Sequence, residues 1–237
     1  MASLVFPGDE IHFDESKSIH IGPGLYCDPK SQKVLPVNAG VEVVSDNRKN
    51  ESVYIDYDCK RYVPAVGDLV IGNIVGQFTD SYKVSLSNFS STVTLSYMAF
   101  PNASKKNRPT LKVGDLVYAK VSAAEKELEA ELECVDSATG KDAGFGLLDG
   151  GMILDITLRF ARLLLFEKDF PLLPLLAKHT QLEIAIGVNG KIWVKCEELK
   201  DTLGCYRSIS DCQNAPTSGY KSVVSKIFGE LARVAEA

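Results

Sequence analysis

Apolar and polar residues alternate in short runs through about residue 147, and the period then lengthens. Alternation with period two is the mark of strands with one buried face, because successive side chains leave a strand on opposite sides. In ESVYIDYDCKRYV, Val53, Ile55 and Tyr57 fall on one side and Tyr54, Asp56 and Asp58 on the other. FPGD (6–9), GPG (22–24) and CDPK (27–30) punctuate the first sixty residues with turn signals. Residues 1–60 therefore predict a small β domain of hairpins.

Residues 61–147 hold an internal echo. VPAVGDLVIGNIVGQF begins at Val63 and LKVGDLVYAKVSAAE at Leu111, and both carry V-G-D-L-V followed by an alternating run. A turn glycine, then an aspartate, then alternation marks the start of a strand, used twice. YKVSLS (82–87) and STVTLSYMAF (91–100) lie between the copies, and EAELECVD (129–136) follows the second. These are five strands with one long polar connection, PNASKKNRPT (101–110), which fits a small OB-type barrel.

From about residue 148 the pattern changes. GGMILDITL reads as a strand, and RFARLLLFEKD as a helix with Phe160, Leu163, Leu164 and Phe166 at three- and four-residue spacing. PLLPLLAKHT is a second short helix with Pro171 at its first turn. LEIAIG and KIWVKC are strands joined by a turn, and two further helical stretches close the chain. Residues 148–237 thus run β-α-α-β-β-α-α.

Composition narrows the function. The 237 residues are 45% apolar and 24% charged, with net charge −5. A chain that binds nucleic acid alone usually presents a broad basic face. Any such contact here must use a local patch or a larger assembly. No apolar run reaches the length of a membrane span, and MASLVFPGDEIHF lacks the basic and apolar regions of a signal peptide. Six cysteines without a C-x-x-C and three scattered histidines predict buried thiols in a reducing compartment, with no metal site and no cofactor. There is no G-x-S-x-G, P-loop or H-E-x-x-H, and no acid cluster of the kind a metal-dependent nuclease needs. The chain is not expected to be an enzyme.

Three stretches bear on binding. Gly187-Val188-Asn189-Gly190 is a G-x-x-G, the loop that clamps nucleic acid in KH modules. There the clamp lies between the first two helices; here that junction reads LFEKDFPL, with two carboxylates and no glycine. Asn-Gly between alternating apolar runs instead predicts a type I′ hairpin turn with positive φ at both central residues. A turn is favoured, and a clamp stays the alternative. The second stretch is NASKKNRP, where Lys105, Lys106 and Arg108 lie on the long barrel loop. They either hold phosphates without reading sequence or form a solvated basic loop. The third is Phe78 and Tyr82 in GQFTDSYKVSL, which either stack on bases or pack inward. EKELEAELE (125–133) reads as a solvated acidic face.

Together, FPGD, GPGLYCDP, YIDYDCKRYVPAVGDLVIG, the DSYKVSLS to DLVYAKV segment with its KKNRP loop, AEKELEAELEC, DAGFGLLDGGMI and GVNGKIWVKCEEL cover essentially the whole chain. They resemble the S1/KH cap subunits of the eukaryotic RNA exosome. The resemblance implies an N-terminal β-hairpin domain, an S1-type OB barrel and a KH-like α/β domain without its clamp loop. It implies a non-catalytic subunit seated with other cap proteins on RNase PH-like ring subunits. Such a subunit would line a channel through which single-stranded RNA reaches a 3′→5′ exoribonuclease, for rRNA processing and decay in nucleus, nucleolus and cytoplasm. By the same resemblance Lys105, Lys106 and Arg108 approach RNA, while Gly187, Asn189 and Gly190 are structural, at the junction of the S1 and KH-like domains. TVTLSYM lacks the histidine that many S1 domains carry on the binding face. The rival readings are a free-standing S1-type RNA adaptor in translation or ribosome assembly, and a hydrolase.

Overall fold

The structure is a computed structural model that describes residues 3–13, 17–46, 50–88, 90–104, 107–125, 127–135 and 144–235. The chain divides into two compact units, 1–59 and 60–237.

The first unit contains β1 (Ser3–Val5), β2 (Ser18–Ile21), β3 (Leu25–Cys27), β4 (Val34–Pro36), β5 (Gly40–Asp46) and β6 (Asn50–Asp56). Four of these form a sheet in the order β1-β5-β6-β2, and β3 and β4 make a separate hairpin. The predicted alternation holds on β6, where Val53 and Ile55 are buried and Tyr54 is exposed.

The second unit begins with β7 (Leu69–Gln77), β8 (Ser81–Ser85), β9 (Val93–Ser96), β10 (Leu116–Ala123), β11 (Glu131–Glu133) and β12 (Gly146–Leu148). The first five run β11-β9-β8-β7-β10, and pairing of β10 with β11 closes them into a barrel. Val70, Ile74, Val84, Leu95, Val117 and Val121 are among its buried residues. The two V-G-D copies prove to be one device used reciprocally. The Gly67 N–H donates to the Val121 carbonyl and the Val121 N–H to Asp68, while the Gly114 N–H donates to Ile74 and the Ile74 N–H to Asp115. Each turn clips the strand that the other copy begins. Gly67 and Gly114 have φ of +93° and +101°, a region open to glycine. The Asp68 and Asp115 carboxylates accept from the N–H groups of Ala65 and Lys112 at 3.1 and 2.7 Å. β12 pairs with β10, so the chain stays with the barrel to Leu148.

The remainder comprises β13 (Met152–Asp155), α1 (Leu158–Phe166), α2 (Leu172–Leu176), β14 (Leu182–Gly187), β15 (Lys191–Cys196), α3 (Leu199–Cys212) and α4 (Tyr220–Ala235). The element order is the one the sequence predicts. The strands form an antiparallel sheet, β13-β15-β14, and the helices bury Phe160, Leu164, Leu172, Leu176, Ile209 and Val224 with it. Phe166, assigned above to the apolar face of α1, is instead 66% exposed. It lies six residues beyond Phe160, about one and two-thirds turns, and so on another side of the helix.

Candidate nucleic-acid interface

The G-x-x-G sequence joins β14 to β15 and does not face solvent. The Gly190 N–H donates to the Gly187 carbonyl at 3.1 Å, and Gly190 has φ +78°. Among the described non-glycine residues only Gln32 and Asn102 have positive φ, so Asn189 does not adopt the conformation that a type I′ turn requires. The connection is a three-residue loop closed by a left-handed glycine. Its geometry follows from where the Asn189 side chain has to go.

Asn189 is 5% exposed. Its Oδ1 accepts from the Ile71 N–H at 3.2 Å, and its Nδ2 donates to the carbonyls of Ile71 and Leu86 at 2.8 and 2.9 Å. The Val188 N–H donates to the Leu69 carbonyl at 2.7 Å. β8 pairs with β7 only as far as Ser85 opposite Asn73. Leu69 and Ile71 therefore carry main-chain groups on an edge that β8 leaves uncovered, and the loop takes the place of the missing strand. Unpaired buried main-chain groups are costly, so this pairing joins the two folds firmly. A Cβ at Gly187 would stand 2.2 Å from Asn189 Oδ1, and one at Gly190 would stand 2.6 Å from the Ile156 carbonyl. Beside the loop, Ile71, Ala185 and Trp193 pack with Leu116, Tyr118 and Leu148, and the Tyr118 hydroxyl donates to the Ile186 carbonyl at 3.3 Å. Gly187, Asn189 and Gly190 are thus structural and buried, with no surface to offer RNA. At the α1–α2 junction, where KH modules place their clamp, Glu167, Lys168 and Asp169 are exposed.

The second candidate lies on the barrel. Lys105 and Lys106 fall outside the described residues. On either side of them, Ser104 and Asn107 exchange two backbone hydrogen bonds, at 3.0 and 3.1 Å. Arg108 is not a free cation. Its Nη1 donates to the Thr79 carbonyl at 2.9 Å, its guanidinium lies over the Tyr97 ring 5.5 Å from the centroid, and Asp80 stands 3.8 Å from Nη2. The Tyr97 hydroxyl donates to the Phe78 carbonyl at 2.5 Å. Phe78 itself is 58% exposed. Gln77, Phe78, Arg108, Pro109 and Lys112 are among the residues around an open depression of about 520 Å³.

Of the two readings left open for Tyr82, base stacking or inward packing, the structure gives the second, so Tyr82 is not an RNA-binding residue. It is 0% exposed and packs edge-on against Tyr97. Its hydroxyl donates to the Pro109 carbonyl at 2.6 Å and accepts from the Leu111 N–H at 3.1 Å. The ring has no face for a base; Tyr82 and Val84, two residues apart on β8, are both on its buried side. Phe78 just follows β7, and its main chain turns back to Ser81.

The acidic run is more than a solvated face. Glu129 forms an ion pair with Lys83, and Glu133 stands 3.9 Å from Lys120. Hydrogen bonds from Lys83 and Thr94 hold the Glu129 carboxyl below the usual range. The run thereby neutralises two barrel lysines. Among the described residues no three His, Cys, Asp or Glu side chains converge as a metal site, and no helix is long and apolar enough to cross a membrane.

Three family models match the chain: "Exosome complex exonuclease Rrp40 N-terminal domain" over residues 19–61, "Exosome complex component RRP40, S1 domain" over 62–146, and "KH domain" over 151–200. The exosome complex component RRP40 of Saccharomyces cerevisiae is 60% identical, with 100% of each chain covered. That of Schizosaccharomyces pombe is 38% identical, covering 90% of this chain and 89% of the relative. That of Homo sapiens is 35% identical over 73% of this chain and 62% of its own. A crystal structure described as an exosome complex RNA-binding protein superimposes with a TM-score of 0.59 at 26% identity, over 74% of this chain and 99% of that one.

Proposed function

This chain belongs to the RRP40 family of exosome complex components, and we propose that it is a non-catalytic cap subunit that guides single-stranded RNA toward a 3′→5′ exoribonuclease. The observation that carries the reading is the division of labour between its two nucleic-acid folds. The KH-like fold has its G-x-N-G loop buried against the barrel, whereas the barrel keeps Arg108, at the end of its basic loop, and the exposed Phe78 ring beside an open depression. Lys105 and Lys106 hold phosphates, and Phe78 offers a stacking face that accepts any base. Such contacts are weak and indifferent to sequence, which suits RNA that must slide. The subunit's partners are RNase PH-like ring subunits and other cap subunits, and it works in nucleus, nucleolus and cytoplasm. A free-standing adaptor in translation or ribosome assembly is disfavoured by family membership.

The test is a reconstituted complex in which Lys105, Lys106 and Arg108 are changed to Glu. RNA capture and channel-dependent degradation are expected to fall by at least about tenfold, as for loss of several phosphate contacts, while the complex still assembles. Unchanged degradation refutes the assignment of the loop. Nuclease activity of the purified chain in Mg²⁺ or Mn²⁺ refutes the non-catalytic role.

A further inference from the structure

We infer that Cys196 and Cys205 form a reversible oxidation site, at which a hydroperoxide converts a thiol pair of the KH-like fold into an intramolecular disulfide. The inference is independent of how the barrel meets RNA. All six cysteines are free thiols, and these two stand with their sulfurs 3.9 Å apart. Their closeness is built by local structure. Cys196 is the last residue of β15, and Cys205 lies on α3, nine residues on. The Thr202 hydroxyl accepts from the Cys196 N–H at 3.1 Å and donates to the Glu198 carbonyl at 3.0 Å. One side chain thus clips the end of the strand to the first turn of the helix. Thr202 is buried, and Cys205 follows it by three residues, so the two share a face of α3. A disulfide needs its sulfurs about 2.05 Å apart. Exposed Glu197 and Glu198 follow Cys196, so the strand end is the side that yields to make the approach.

The two thiols are unequal, which sets their roles. Cys205 is 0% exposed, within the core of the KH-like fold. Burial, with Cys196 beside it, pushes its thiol up to about 12, and a buried thiol of this kind is inert toward oxidants in solution. Cys196 is half-buried and lines an open depression of about 310 Å³ with Glu183, Lys195 and Glu197. A molecule as small as hydrogen peroxide therefore reaches Cys196 first. The Cys196 sulfur, as thiolate, attacks one peroxide oxygen. The O–O bond breaks, the second oxygen takes up the thiol proton and leaves as water, and a sulfenic acid remains. Cys205 then attacks the sulfenic sulfur. The S–O bond breaks, the S–S bond forms, and the hydroxyl group leaves as water with the Cys205 proton. The thiol pair is oxidised by two electrons and the peroxide is reduced by two. Capture by Cys205 keeps Cys196 from advancing to the irreversible sulfinic acid. In a reducing compartment the dithiol is the resting state and the disulfide is transient.

The test uses the reduced full-length chain, exposed to hydrogen peroxide, then denatured, alkylated, digested after lysine and arginine, and analysed by mass spectrometry. Cleavage after Lys200 puts the two cysteines in separate peptides, 196–200 and 201–207. The expected product is these two peptides joined, with neither thiol alkylated until dithiothreitol is added. Cys205→Ser, treated alike, is expected to lose the joined peptides and to hold Cys196 as a sulfenic acid that dimedone labels. In Cys196→Ser, Cys205 should stay fully alkylated. If Cys196 and Cys205 of the parent chain both remain alkylated once the exposed Cys27 has been oxidised, the inference is overturned. Either of these cysteines joined to a different one in place of its neighbour overturns it too, as does Cys196 found as sulfinic acid with no joined peptides. Should either variant fail to fold, the joined peptides of the parent chain still decide.

Discussion

Asn189 makes three hydrogen bonds with side-chain atoms alone, all to main-chain groups of the barrel. Replacing it with Ala leaves an N–H and two carbonyls unpaired in a buried site, at about 1–3 kcal/mol for each group that water does not reach. A loss of roughly 3 kcal/mol is expected for Asn189→Ala in denaturant unfolding, with faster hydrogen exchange at the Ile71 amide. Asn189→Asp should cost more, since a carboxylate would face the carbonyls of Ile71 and Leu86. Gly190→Ala should also destabilise, through its φ of +78° and the contact with Ile156. Stability of any of these variants equal to that of the parent chain would mean that the junction is not held here. Turn chemistry made the hairpin at 187–190 legible, but not the partner of Asn189. That partner lies 118 residues away, and nothing local to Val-Asn-Gly announces it. Ile71 held a fainter signal. It is buried between Val70 and Gly72, where strict alternation would expose it, because the KH-like fold covers that side of β7. Tyr82 shows the opposite case: it lies two residues from Val84 on the same side of β8, a local relation, and burial decided between core and base.

The paired V-G-D elements show how a sequence echo becomes structure. Repetition made two strand starts evident, but their reciprocal hydrogen bonding required the antiparallel register of β7 and β10. The copies are not equal, and their difference is testable. Asp115 accepts from the Lys112 N–H, whereas Asp68 accepts both from the Ala65 N–H and from the hydroxyl of buried Tyr62, the latter at 2.7 Å. Burial, reinforced by this acceptor, raises the Tyr62 hydroxyl well above the ordinary range. Asp115→Ala should cost about 1 kcal/mol, one turn-capping bond, and Asp68→Ala about twice that, because the phenol loses its partner too. Equal costs by denaturant unfolding would show that Tyr62 does not depend on Asp68. The same contrast between local and distant information governs the basic loop. Lys105, Lys106 and Arg108 stand out as a run of cations, yet the sequence pattern has no means of showing that Arg108 is tied to Thr79 and stacked on Tyr97.

The whole chain carries a net charge of −5, and the features proposed above to meet RNA are one loop and one exposed ring. The KH-like clamp is absent from its place, two barrel lysines are matched by Glu129 and Glu133, and Arg108 is engaged. Two phosphate contacts give a salt slope of about 1.4, too shallow to support tight binding at physiological ionic strength. The isolated chain is therefore expected to bind single-stranded RNA with a dissociation constant in the range of about 10⁻⁶ to 10⁻⁴ M, as non-specific binders do. In the proposed assembly the same contacts would act intramolecularly on RNA held by neighbouring subunits, so the effective concentration of the loop would be high and its small contribution would multiply theirs. The triple Glu variant should thus reduce capture by the complex and lower the already weak binding of the chain alone by at least a similar factor. Fluorescence anisotropy on both preparations, at one salt concentration, makes the comparison. Submicromolar binding by the isolated chain would sink the argument, since it would require a cationic surface that the described residues do not provide.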